Sequence, residues 1–310
     1  MGKKVIIIVG PTCSGKTRLS LILAEKLKSE IISADSRQVY KYLTIGTAKP
    51  NSDELKRIKH YFIDELEPDE EFNADIFSKR AKEIISKLIG KDMIPIVVGG
   101  SGLYIKALVN GITQTVVSDK SLRNELLELR KIYGNDYLYN VLKKIDPISA
   151  EKMLPQNWKR VIRALEVFQL TGKPIWQHHI ENPIKQEFEF FQYGLKWERN
   201  KLYHNIECRV DEMIKNGFVE EVKLILEKGY TKELNSLNTL GYKEIIDLLD
   251  NKFTFDETVN RIKINTRRFA KRQLTWFNSD KRIKWFEIES YEELQIIAEN
   301  ILKDFYERKN

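Results

Sequence analysis

Cysteine is nearly absent. The 310 residues contain two, Cys13 and Cys208, far apart and outside any CxxC or Cys/His grouping, which excludes a zinc site of the usual spacing and fits a reducing cytoplasm. Long apolar runs are missing too. Met1-Gly2-Lys3-Lys4 leads into only five apolar residues, Val5 to Val9, too few for a signal peptide or a membrane span. No internal repeat and no low-complexity segment occurs. Neither sign of charge dominates: 52 Lys and Arg face 45 Asp and Glu, a net +7. That surplus leans toward a polyanionic partner, although an ordinary soluble basic protein has the same balance. A soluble, unanchored, cytoplasmic protein with no membrane partner is expected.

What is present is a chain long enough for two or three structural units. The first hundred residues alternate strand-like apolar runs with amphipathic stretches, the βαβ pattern of a parallel sheet covered by helices. Val5–Val9, Glu30–Ser33 and Ile94–Val98 read as buried strands, and Lys16–Lys28 reads as a helix. Another helix starts near Asn73, a suitable cap, and ends at Gly90. Gly99-Gly100-Ser101-Gly102 then turns the chain into a helix from about Leu103. From about Ser118 to Gln186 the chain becomes charged and helical with no strand-like run. Glu187–Lys196 returns to the sheet, and Asn200–Lys228, Lys243–Leu249 and Glu257–Phe277 read as helices. The expected fold class is α/β, with two domains. A P-loop NTPase-like parallel sheet with flanking helices spans 1–117 and 187–310, and a mainly helical insertion spans 118–186.

Gly10-Pro11-Thr12-Cys13-Ser14-Gly15-Lys16-Thr17 matches G-x-x-x-x-G-K-[ST] between a strand and a helix, where the motif belongs. Its backbone N–H groups and helix N-terminus suit phosphate oxygens, Lys16 adds a full charge, and Thr17 can ligate Mg²⁺. The motif by itself says phosphate and leaves hydrolases and kinases open.

Asp35 stands at the C-terminal end of the second strand, where open α/β sheets place their ligands. A carboxylate there can accept a proton, or it can serve as a turn or cap residue. Asp35-Ser36-Arg37-Gln38-Val39-Tyr40 begins a series of segments that continues with Ile45-Gly46-Thr47-Ala48-Lys49-Pro50 and Gly99-Gly100-Ser101-Gly102-Leu103-Tyr104. It ends with Arg160-Val161-Ile162-Arg163-Ala164-Leu165-Glu166-Val167 and Ala270-Lys271-Arg272-Gln273-Leu274-Thr275-Trp276-Phe277. In this order the series resembles the tRNA dimethylallyltransferase, or tRNA isopentenyltransferase, family of bacterial type. Two places depart from the family's pattern: Leu154-Pro155-Gln156-Asn157-Trp158, where His-Pro-Asn-Asp is usual, and Tyr42-Leu43-Thr44, where Gly-Met-Asp is usual.

The resemblance implies that loop 10–17 holds the diphosphate of dimethylallyl diphosphate with Mg²⁺. The C5 group then moves to N6 of adenine 37 in tRNA without consumption of ATP. An exocyclic amine must lose a proton as the C–N bond forms, and Asp35 is the matching base. Ser101 matches a family hydroxyl near the reacting centre, and on position alone it would equally cap the following helix. Arg209 aligns with the family's catalytic arginine. It falls beside Leu202, Ile206 and Met213 at the edge of an apolar sector, where a guanidinium needs either an anionic ligand or an ordinary ion pair.

The same resemblance assigns tRNA contact to Asp35, Ser36, Arg37 and Gln38, to Ser101 and Arg123, and to Lys159, Arg160, Val161, Ile162 and Arg163. Asn238, Thr239, Leu240, Gly241, Tyr242 and Lys243 are a weaker addition. Lys159, Arg160 and Arg163 share one helical face, which could grip phosphates or simply be solvated. Arg261, Arg267, Arg268, Lys271 and Arg272 cluster on one side of a later helix. Phe269, Trp276 and Phe277 lie around the opposite side and are expected in the core. The reading expects a monomer acting on the anticodon stem-loop. Its rivals are an isopentenyltransferase for free adenine nucleotides, a P-loop kinase, and an RNA-binding module with a vestigial loop.

Overall fold

The computed structural model describes residues 3–111, 119–181 and 187–308. The expected insertion boundaries at 118 and 186 lie outside the described residues. Two compact units divide the chain, Met1–Asn110 with Gln186–Asn310 and, between them in sequence, Gly111–Lys185.

The first unit opens with β1 (Lys4–Val9), α1 (Lys16–Leu27), β2 (Ile31–Ser33), α2 (Ser52–Arg57), β3 (His60–Tyr61), α3 (Ala74–Ile89), β4 (Ile96–Gly99) and α4 (Gly102–Asn110). The second unit holds α5 (Lys120–Ile145), α6 (Pro147–Glu151), α7 (Trp158–Thr171) and α8 (Ile175–Glu181). A non-helical Gly134 interrupts α5. The first unit resumes with β5 (Glu189–Trp197), α9 (Arg199–Lys215), α10 (Phe218–Glu227), α11 (Tyr242–Leu249), α12 (Phe255–Asn278), β6 (Lys284–Ile288) and α13 (Leu294–Glu307).

Strand β1 shows why the sheet is covered on both sides. Val5, Ile7 and Val9 point into one core cluster with α3, α4, α11 and α12, while Ile6 and Ile8 point into another with α1, α9 and α13. Successive strand residues face opposite ways, so a continuous apolar run needs two apolar covers. The six strands run parallel in the order β3-β2-β4-β1-β5-β6. From β1 the chain crosses to β2 on one side, and from β4 it crosses to β5 on the other. Connections therefore diverge between the neighbours β1 and β4, which is the crevice where such sheets bind ligands.

Asn73 caps α3 as expected, accepting from the N–H groups of Asp75 and Ile76 at 3.0 Å each. Two expectations change. The helix read over 200–228 is two helices, because Gly217 takes a left-handed φ of 90° and turns the chain before Phe218. Beyond residue 278, β6 and α13 complete the sheet edge and one core, a part not read from the sequence. The second unit packs Leu126, Leu138, Leu142, Val161, Ile162 and Leu165 into its own core. Among the described residues no helix is long and apolar enough to cross a membrane.

Candidate active site

Three strand ends supply the site. After β1 the loop 10–17 curls back, and the Lys16 ammonium donates to the Pro11 carbonyl at 2.7 Å. The loop is braced from outside. Trp197 Nε1 donates to the Ser14 carbonyl at 3.1 Å, and the Tyr291 hydroxyl donates to the Cys13 carbonyl at 2.9 Å. Withdrawal from water and the neighbouring Arg209 guanidinium pull the Lys16 pKa down to about 8, against the opposing pull of Asp35. A lysine so placed is short of an anion.

After β2 comes Asp35, whose Oδ1 accepts from the Arg37 N–H at 2.8 Å and the Gln38 N–H at 3.3 Å. The turn role occupies Oδ1 alone, and a carboxylate has a second oxygen for other work. At the end of β4 stands Gly99, where an added Cβ would lie 2.1 Å from the Ala34 carbonyl oxygen. Only glycine permits that approach. It brings Ser101 to Ser36, whose N–H donates to the Ser101 hydroxyl at 3.1 Å.

Arg209 reaches over from α9. Its Nη1 donates to Thr12 Oγ1 at 3.2 Å and lies 3.7 Å from Cys13 Sγ. Among the described residues Arg209 makes no ion pair; its guanidinium is turned toward loop 10–17. Arg209, Thr12, Cys13, Asp35, Ser36, Arg37 and Ser101 line one cavity of about 340 Å³, shared with Asn238, Thr239, Leu240, Gly241 and Lys243. Ile206, Val210, Met213, Phe218 and Ile262 supply an apolar wall. A recess of about 90 Å³ adjoins it, lined by Lys16, Thr17, Asp35 and Gln38.

Several residues expected at RNA have side chains that the structure places inward or in internal bonds. The side chains of Val161 and Ile162 are core residues of the second unit, and Tyr242 is fully buried with its hydroxyl on Glu221 at 2.7 Å. Apolar periodicity turns these side chains inward, where they pack. Gln38 is spent internally, accepting from the Ser33 hydroxyl and donating to the Thr47 and Ala48 carbonyls. Arg37 Nη1 donates to the Asn235 carbonyl at 2.7 Å. Arg123 and Arg163 both pair with the fully buried Glu166 at 2.8 Å. Lys159 and Arg160 stand exposed on α7. The aromatic residues of α12 divide: Phe277 is core as expected, whereas Phe269 and Trp276 are each 38% exposed, and Phe269 lines the cavity.

Sequence reasoning gave Thr47 and Gln273 no role beyond their place in the motif series, and it missed Glu221. Glu221 accepts from the N–H groups of Thr44, Ile45 and Gly46, which shapes the 44–47 turn beside the cavity. A Glu beside another in the first turn of an amphipathic helix carries no mark of such a task.

The family model described as IPP transferase matches residues 38–280. The chain belongs to the IPP transferase family. The tRNA dimethylallyltransferase of Alkaliphilus oremlandii is 47% identical over 306 residues, covering 98% of each chain. Among solved structures, the full-length tRNA isopentenylpyrophosphate transferase of Bacillus halodurans matches with a TM-score of 0.73 at 36% identity, covering 99% of this chain and 98% of that one. A eukaryotic dimethylallyltransferase solved acting on tRNA matches with a TM-score of 0.86 at 30% identity, covering 99% of this chain and 80% of that one. A metal bound with a diphosphate takes phosphate oxygens and water beside its protein donors. No group of three His, Cys, Asp or Glu among the described residues could hold an ion. The recess offers the Thr17 hydroxyl beside Lys16. That fits Mg²⁺, which keeps waters and takes phosphate oxygens rather than filling an all-protein cage.

Proposed function

We propose that this chain transfers the dimethylallyl group of dimethylallyl diphosphate to N6 of adenine 37 in tRNA and releases diphosphate. The observation that carries the reading is the junction of Arg209 with Thr12 in the same cavity as Asp35. It puts a cation aimed at a leaving anion and a carboxylate able to take a proton within one enclosure. Membership of the family and the names of its relatives support this choice of substrates.

In the reaction the N6 lone pair attacks C1 of the allyl group, and the C1–O electron pair leaves with the diphosphate. The N6 proton passes to Asp35 Oδ2, the oxygen not engaged by Arg37 and Gln38. Lys16, Arg209 and the loop N–H groups meet the charge that grows on the diphosphate, so they stabilise the transition state more than the ground state. Thr17 would hold Mg²⁺, which supplies further charge neutralisation at the leaving group. Ser101, whose hydroxyl accepts from Ser36, keeps its own proton to donate toward the adenine. The apolar wall of Ile206, Val210, Met213 and Phe218 suits the C5 group and keeps water from it. An unpaired loop base can enter such a pocket at modest cost. The two free cysteines are compatible with a reducing compartment.

Labelled dimethylallyl diphosphate offered with either unmodified tRNA carrying adenines at 36, 37 and 38 or AMP tests the reading. Label is expected in the tRNA. Comparable transfer to AMP supports the free-nucleotide rival, and ATP-dependent phosphorylation without prenyl transfer supports the kinase.

A further inference from the structure

Gln273 sits on α12 between the exposed Lys271, Arg272, Thr275 and Trp276, yet it is only 8% exposed. Its side-chain Oε1 accepts from the Thr12 N–H at 2.8 Å, and its Nε2 donates to the Gly100 carbonyl at 2.9 Å. These two partners follow β1 and β4, whose register ends at the pair Val9 and Gly99. Beyond that pair the strands separate into the crevice, and among the described residues no ladder bond fixes the spacing of their ends. The planar amide of Gln273 therefore acts as one more rung, supplied by a side chain. The fit is close: a Cβ at Gly100 would lie 2.3 Å from Gln273 Nε2.

We propose that Gln273 is a positioning residue for the transfer, setting the distance between the diphosphate loop and the turn that carries Ser101. This role rests on the function proposed above. Arg209 and Thr12 mark the leaving-group end. Thr12 is tied through Gln273 to Gly100, and the next residue, Ser101, is tied to Ser36 beside Asp35 at the acceptor end. Displacement at C1 needs nucleophile, carbon and leaving oxygen in line, and a misplacement of about 1 Å costs roughly 10²-fold. The amide also occupies the Thr12 N–H, so that donor is committed to geometry and not to a phosphate oxygen.

The test compares wild type with Gln273→Met, which keeps the volume and loses both bonds, and Gln273→Glu, which keeps an acceptor for Thr12. Single-turnover transfer per folded active site is expected to fall roughly 10²-fold in Gln273→Met. Dissociation constants for dimethylallyl diphosphate and tRNA should stay within about threefold. Gln273→Glu should recover part of the rate. Should the Met variant not fold, Gln273→Asn, one methylene short of spanning both partners, is expected to show the same loss. Hydrogen exchange gives a readout independent of the chemistry: the 11–14 and 99–102 segments should both exchange faster in the variant while α1 and α3 do not. A wild-type-like rate per folded site, or unchanged exchange at both segments, overturns the positioning role. Failure of the wild type itself to transfer label, with both segments loosened in the variant, overturns the function and leaves the clamp standing.

Discussion

The cavity of the first unit and helix α7 of the second are both rich in polar and charged side chains, and they use them in opposite ways. Around the cavity almost every polar group is committed to another: Asp35 to two N–H groups, Ser101 to Ser36, Gln38 to Ser33 and residues 47–48, Gln273 to Thr12 and Gly100. On α7, Lys159 and Arg160 are exposed, and Lys159 lies over the Trp158 ring at 5.4 Å. Bond making requires fixed positions, so its side chains hold one another still. A polyanion would be met by charge at the surface, such as that of Lys159 and Arg160.

That contrast gives the variants distinct signatures. Asp35→Ala should produce the largest effect, a fall in single-turnover transfer of roughly 10² to 10⁴ fold, the range for losing a general base. Its tRNA affinity should change far less; near wild-type turnover would remove Asp35 from the role of base. Arg209→Ala should lower transfer by about 10²–10³ fold, as for loss of one donor to a developing anion. The salt dependence of tRNA binding should stay unaltered. Weakened tRNA binding with normal chemistry would move Arg209 to the surface class of cations.

Lys16 gives a test by pH. Its pKa is held near 8 in the free loop, below its ordinary value, and a bound diphosphate raises it again. Between about 8 and the pKa of the complex, binding must therefore take up a proton. Affinity for dimethylallyl diphosphate should fall about tenfold per pH unit over that span and be flat below it. Calorimetry in buffers of different ionisation enthalpy reads the uptake directly, and no uptake at pH 9 would contradict the placement of Lys16 against the anion.

The smallest expected effect belongs to α7. Lys159→Ala with Arg160→Ala should reduce the slope of log affinity against log salt by about one unit for each phosphate no longer neutralised. Transfer at saturating tRNA should be unchanged. Arg163 is left in place because it pairs with Glu166, and its removal would strip a buried carboxylate of a partner. An unaltered slope would make Lys159 and Arg160 a solvated face.

Much of this was legible beforehand because it is local. The loop 10–17, the two-sided apolar run Val5–Val9, the Asn73 cap and the turn at Gly99 each declare themselves within a few residues. Trp276 and Phe269 misled, since an apolar ring on a helix implies core only when another element covers it, and these are each left 38% exposed. Edge strand β6 escaped notice because Lys284 and Glu287 interrupt it, as edge strands often require.

What the sequence determined by itself was the α/β class, the phosphate loop, the helical insertion and the identity of Asp35, Ser101 and Arg209 as candidates. Each depends on short-range pattern, or on a series of motifs in a fixed order. Only the tertiary structure decided which side chains meet. Arg209 lies 197 positions from Thr12, and Gln273 lies 261 from Thr12 and 173 from Gly100. A hydrogen bond depends on distance in space, and at those separations the chain's own spacing carries no information about it; the sheet order and the crevice between β1 and β4 do.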